Sequence, residues 1–286
     1  TAAWLPVVLG ASVMVILWGA VLAAFGVALL AINRLPRRRT VEATCVLALA
    51  LAVRFAVDAT PTNYYTDLFG PAGAPVALVR RHFGMLGLYR VLDALVPLRG
   101  GAVLHLQRAL GALAIALLFL AQRRAADRGA WSIAATWTTA IWLAIDPLEA
   151  RLAAGDSAHI PALLVFALGA FLYSFTVDSE GRLAAAARAG ALLCALLLGP
   201  LRPELLLFPI AWPLLFGDHR APLRARLSTA HLDATLALAV LAAIAMAPSL
   251  LDQEAHNAWT IDRLRGFLDG AREALRPSSI AWVPPA

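Results

Sequence analysis

Charge is what this sequence has least of. Only 15% of its 286 residues are Asp, Glu, Lys or Arg, whereas 61% are hydrophobic and the mean hydropathy is +0.74. A water-soluble domain carries about a quarter of its residues as charged groups, so the soluble globular class is excluded. Lysine is missing altogether: all 24 bases are Arg, set against 18 acids for a net charge of +6. That usage, beside so much Ala and Leu, fits a GC-rich bacterial genome. Cysteine is scarce, and Cys45 and Cys194 both lie in apolar runs, where a free thiol behaves as a small hydrophobe; neither a disulfide nor a thiolate metal site is expected. The sequence has no P-loop, HExxH, CxxC or Gly-rich dinucleotide fingerprint, which removes the sequence support for nucleotide, zinc-hydrolase and redox readings. No basic run is interleaved with aromatics, so no nucleic-acid partner is expected.

What the sequence does have is long apolar runs. A bilayer core about 30 Å thick takes about 20 apolar residues as a helix. Stretches of that kind fall at 4–32, 41–57, 101–121, 129–146, 158–177, 183–199, 201–217 and 232–251. The expected fold is therefore all-α, a polytopic transmembrane helical bundle of about eight spans. The seventh stretch holds Pro203, Pro209 and Pro213, each of which removes a backbone donor, so a broken or partly re-entrant segment is expected there. Residues 1–33 imitate a signal peptide, but their apolar run is too long for an h-region, and they read as a true span. The sequence opens at Thr1 and stops at Pro284-Pro285-Ala286, which leads to the expectation that it is part of a longer product.

Arginine sets the orientation. Twelve Arg lie in or beside alternate loops: Arg34, Arg37, Arg38, Arg39, Arg123, Arg124, Arg128, Arg182, Arg188, Arg220, Arg224 and Arg226. The short loops of the opposite side hold only Arg151 and Arg202. By the positive-inside rule the Arg-rich side faces the cytoplasm, and residues 58–100 and 252–286 face outward. Within 58–100, Leu86, Leu88, Val91, Leu92 and Leu95 recur at helical spacing, which predicts an amphipathic interfacial helix. The tail 252–286 repeats this pattern more weakly.

Ionisable groups in or beside spans are costly and therefore draw attention. Arg54 lies near the outer end of the second span, four residues from Asp58, where it can snorkel or pair with that carboxylate. His105, Gln107 and Arg108 open the third span, and an interfacial position accounts for them. Asp146-Pro147 ends the fourth span and is followed by Glu149, Arg151, Asp156 and His159. Arg202 and Glu204 bracket Pro203, either as a local ion pair or as a fork suited to a phosphate. These clusters share the outward side, a pattern that suits chemistry at that face.

Leu51-Ala-Val-Arg54-Phe-Ala-Val-Asp58, then Asn63-Tyr64-Tyr65-Thr66-Asp67, then the Asp146 to Asp156 loop, then Leu201-Arg202-Pro203-Glu204, together resemble the GT-C superfamily of polytopic glycosyltransferases, the group related to protein mannosyltransferases and aminoarabinose transferases. The resemblance covers 41–251; residues 1–40 would be an extra N-terminal span with a basic cytoplasmic loop, and 252–286 an outer tail. It implies inverting transfer of a sugar from a polyprenyl-phosphate donor at the outer face of a bacterial inner membrane. Asp58 would be the general base, with Asp67 its rival. Arg202 would neutralise the departing phosphate, and Arg54, Tyr64, Tyr65 and Glu204 would line the substrate site. Asp156 or His159 would orient the acceptor or, in metal-using relatives, help hold a divalent cation; the resemblance leaves a divalent cation open and implies no other cofactor. The family's usual Asp-Glu pair in the first outer loop is absent, since Asp58 and Asp67 stand alone. From a different class, the alternative is a non-catalytic GT-C-like membrane subunit that packs against membrane-protein partners, favoured by the additional first span and by Ala- and Gly-rich faces.

Overall fold

A computed structural model describes residues 5–58, 102–153, 159–201, 205, 208–220 and 222, all within one unit, Thr1–Ala243. Every regular element among them is helical: α1 (Leu5–Ile32), α2 (Arg37–Ala56), α3 (Ala102–Asp127), α4 (Ile133–Ile145), α5 (Pro147–Ala153), α6 (His159–Val177), α7 (Gly181–Leu201), a 3-10 turn at Phe208–Ile210, and α8 (Ala211–Phe216). Four segments, Val15–Ile32, Leu104–Asp127, His159–Val177 and Gly181–Leu198, are long and apolar enough to cross a membrane, which marks the chain as a membrane protein. They correspond to the first, third, fifth and sixth of the eight predicted stretches.

The other predicted stretches take different forms. Helix α2 is 20 residues long, but its apolar stretch is bounded by Glu42 and Arg54. Helix α4 has only 13 residues, about 20 Å of rise against a core of about 30 Å. The seventh stretch is broken into the 3-10 turn and α8, as its prolines predict. It runs along α6: the Phe208 and Trp212 rings meet Phe166 at 6.4 and 5.8 Å, and the Phe216 carbonyl is reached by Arg128 at the far end. The eighth stretch, the 58–100 loop beyond Asp58 and the 252–286 tail lie outside the described residues.

The core follows from helical spacing. On α2 the buried residues are Ala43, Val46, Ala50 and Arg54, one stripe at intervals of three and four. Helix α6 is the central element, buried from Ile160 to Phe175 on nearly every side, and packs most extensively on α3 and α7. Helix α1 lies on α7 through small residues: a methyl group added at Gly190 would stand 3.1 Å from the Ala24 side chain, and Ala28, Ala187 and Ala191 are buried in the same cluster. In lipid, where apolar contact with solvent supplies no drive, such close approach of backbones is what holds helices together.

The Arg-rich loops converge on one end of the bundle. Arg39 reaches Asp127 at 2.5 Å, Arg123 reaches Glu42 at 3.3 Å, and Arg124 reaches Asp178 at 3.2 Å, joined there by Arg128. Arg124 and Arg128 also donate to the Ser174 carbonyl in the last turn of α6, where cations meet the negative end of the helix dipole. Helix α3 stops at Gly129, whose φ of 78° only glycine adopts without strain. The bonds Ala130 N–H to Ala125 and Gly129 N–H to Ala126, both 3.0 Å, complete a Schellman cap.

Candidate functional site

The opposite end of the bundle holds Arg54, Arg108, Asp146 and Glu149. Their arrangement begins with Pro147. A helix carbonyl accepts from the N–H four residues on, and for Leu143 that residue is proline, which has none. For Ala144 it is Leu148, whose N–H turns to the Asp146 carboxylate instead, at 3.2 Å. Two carbonyls at the end of α4 are thus left without helical donors. Arg54 supplies them: its guanidinium donates to Ala144 at 3.2 Å and Leu143 at 3.5 Å, and to Ala50 one turn back on α2 at 3.3 Å.

Arg54 is fully buried. It therefore neither snorkels nor pairs with Asp58. Its counter-charge is Glu149 on α5, 3.9 Å away. Burial raises the Glu149 carboxyl above the usual carboxylate range; Arg54 opposes that and Asp146 adds to it. Gly111 on α3 lets the guanidinium in, since a methyl group there would stand 3.1 Å from Arg54 Nε and 3.3 Å from Ala153. The result is a brace tying α2, α4 and α5 together.

Arg108 forms a second brace. It is buried, donates to the Val57 carbonyl at 2.6 Å, and lies 5.3 Å above the Phe55 ring. His105 stacks on Phe55 at 5.7 Å and is exposed. The interfacial explanation thus fits His105, while Gln107 and Arg108 are buried. Val57 has extended backbone and ends α2, so the next residue, Asp58, leaves the helix as an exposed carboxylate. Arg108 fixes the peptide directly before it.

His159 opens α6 and is exposed. Tyr64, Tyr65, Asp67, Asp156, Arg202 and Glu204 lie outside the described residues. The structure therefore brings Arg54 together with Glu149, from outside the expected site, and sets Arg108, also outside it, on the peptide before Asp58. The sequence signal was Pro147, which leaves the Leu143 carbonyl without a helical donor; which side chain fills that gap, and which acid balances it, the sequence did not name. Among the described residues no group of three or more His, Cys, Asp or Glu is placed to hold a metal ion. The chain matches no protein-family model, no curated protein and no solved structure.

Proposed function

We propose that this chain is a GT-C-like transferase of the bacterial inner membrane, moving a sugar from a polyprenyl-phosphate donor to an acceptor at the outer face. The observation that carries the reading is Asp58: an exposed carboxylate on the first residue beyond α2, its position set by the Arg108 bond to Val57. A general base must be held within reach of the proton it takes. In the reaction the acceptor hydroxyl gives its proton to Asp58 as its oxygen bonds the anomeric carbon. The C–O bond to the donor breaks with its electron pair leaving on the phosphate. Arg202 is the resemblance's group for that developing charge, where a fixed cation helps most. The Arg-rich end faces the cytoplasm in this reading.

One observation favours a second reading, a non-catalytic subunit in a membrane-protein complex. The Arg54 donors go to main-chain carbonyls, as in a scaffold.

Native mass spectrometry of the gently extracted full chain separates the two. Removing a general base slows transfer by about 10²–10⁴-fold, so Asp58→Asn should co-purify with sugar-loaded polyprenyl phosphate where the wild type carries mainly the free lipid. A stoichiometric protein partner with no polyprenyl-phosphate species in either protein would establish the subunit reading. An unchanged ratio of loaded to free lipid would remove Asp58 from the chemistry.

A further inference from the structure

At the Arg-rich end the ends of four helices surround a recess of about 440 Å³, lined by Arg34, Arg124, Phe175, Asp178, Ser179, Glu180 and Leu183. That volume is in the range of small-molecule sites, about 300–1,000 Å³. Its depth is set by the fold. The membrane-crossing segments end at Ile32, Asp127 and Val177 and begin again at Gly181, each within three residues of a lining charge. The recess therefore lies where the apolar stretches stop, at the level of lipid headgroups.

Its charges are of both signs, and they are not equally engaged. Arg124 is held by Asp178 at 3.2 Å and by the Ser174 carbonyl. Arg34 and Glu180 line the same recess, are exposed, and enter no ion pair with another described residue. A simple anion would meet two carboxylates here, and a simple cation two guanidiniums. A ligand carrying both charges a few bonds apart satisfies each wall. Phe175 and Leu183 supply the apolar part, but the Phe175 ring already lies under Arg124 at 4.9 Å. Phe175 is the one aromatic ring in the lining, and a single ring does not make an aromatic cage for a quaternary ammonium, whereas a primary ammonium has N–H donors for carboxylates.

The geometry points to a binding site for a phosphoethanolamine group: the phosphate on Arg34 and the ammonium on Glu180, beside the Asp178 carboxylate that Arg124 and Arg128 already hold, with the acyl chains of a phosphatidylethanolamine leaving toward the apolar helix surfaces. The site is at the end of the bundle opposite Asp58 and stands or falls independently of glycosyl transfer.

The test uses the full chain, exchanged into detergent and titrated by native mass spectrometry with phosphatidylethanolamine, phosphatidylglycerol and phosphatidylcholine at equal concentrations. Ethanolamine lipid should be retained most. Exposed charge pairs are each worth about 0.2–1 kcal/mol, so Arg34→Gln and Glu180→Gln should each lower its retention, up to about fivefold. Both positions are exposed, so folding is not at risk. Glu180→Gln carries the discrimination, because it should leave phosphatidylglycerol binding unreduced. Soluble O-phosphoethanolamine in excess decides the source: displacement of the lipid assigns the recess to the free ester as well, and resistance assigns it to the lipid alone. Equal retention of all three lipids, or ethanolamine retention that neither substitution changes, would overturn the proposal. Phosphatidylglycerol retained above phosphatidylethanolamine would reduce the recess to a cationic patch and overturn it too.

Discussion

Replacing Arg54 by Leu tests the central brace. The guanidinium makes bonds of 3.2 and 3.3 Å to the Ala144 and Ala50 carbonyls, a longer one to Leu143, and stands 3.9 Å from Glu149. At that separation the gross attraction is about 4 kcal/mol for an effective dielectric near 20, most of it offset by the desolvation of both groups. Leucine keeps apolar volume but leaves a part-buried carboxylate without its counter-ion and two carbonyls without donors. Breaking a buried pair from one side costs about 3–5 kcal/mol, and that loss is expected for Arg54→Leu. The assay is denaturation in mixed micelles followed by tryptophan fluorescence. The cost should fall by about half in a Glu149→Gln background, and again when Pro147→Ala returns a donor to Leu143. It should also depend on pH. Burial raises the Glu149 carboxyl, so the folded state binds a proton more readily than the unfolded chain, and stability falls as pH rises above about 4.3. Without Arg54 that shift grows, so the deficit should be smaller at pH 5 than at pH 7.5. A loss under about 1 kcal/mol, or an identical loss in the Glu149→Gln background, would refute the brace.

Two further substitutions probe the packing. A methyl group at Gly169 would lie 2.6 Å from Trp212 Cζ2 and 3.0 Å from the Cys194 side chain, so Gly169→Ala should cost about 1–3 kcal/mol; Trp212→Phe should restore part of it, measured in the same micelles. Arg128→Gln removes the 2.5 Å bond to the Phe216 carbonyl and the contact with Asp178, so hydrogen exchange should rise over 208–216 while α3 and α6 stay protected. Protection unchanged along 208–216 would show that Trp212 packing and the 2.9 Å bond from Trp131 Nε1 to the Leu215 carbonyl hold that segment without Arg128.

Much of the architecture was legible because its causes are local. The first, third, fifth and sixth apolar runs became α1, α3, α6 and α7 within a few residues, since length and hydropathy are properties of a segment. The short elements at 208–216 followed from Pro209 and Pro213, each of which removes a donor whatever surrounds it. The gathering of Arg34, Arg39, Arg123, Arg124, Arg128 and Asp178 at one end followed from alternation of helices. Pairing was harder to read. Arg54 and Asp58, four residues apart, suggested an ion pair on one face, but the extended Val57 ends α2 between them and turns the carboxylate out. Arg108 looked interfacial because Phe55 and Val57, which it meets, are distant in sequence.

The sequence by itself determined that the described residues are helical, that the chain belongs to a membrane and that Arg34, Arg39, Arg123, Arg124 and Arg128 share one end, because those outcomes depend on segment composition and on the cost of charge in hydrocarbon. Only the tertiary structure decided that Arg54 answers to Leu143, Ala144 and Glu149, and that Arg34 and Glu180 face one recess. A buried charge chooses its partners by which helix ends come within about 4 Å of it, and that distance is set by the packing of small residues among helices far apart in the chain.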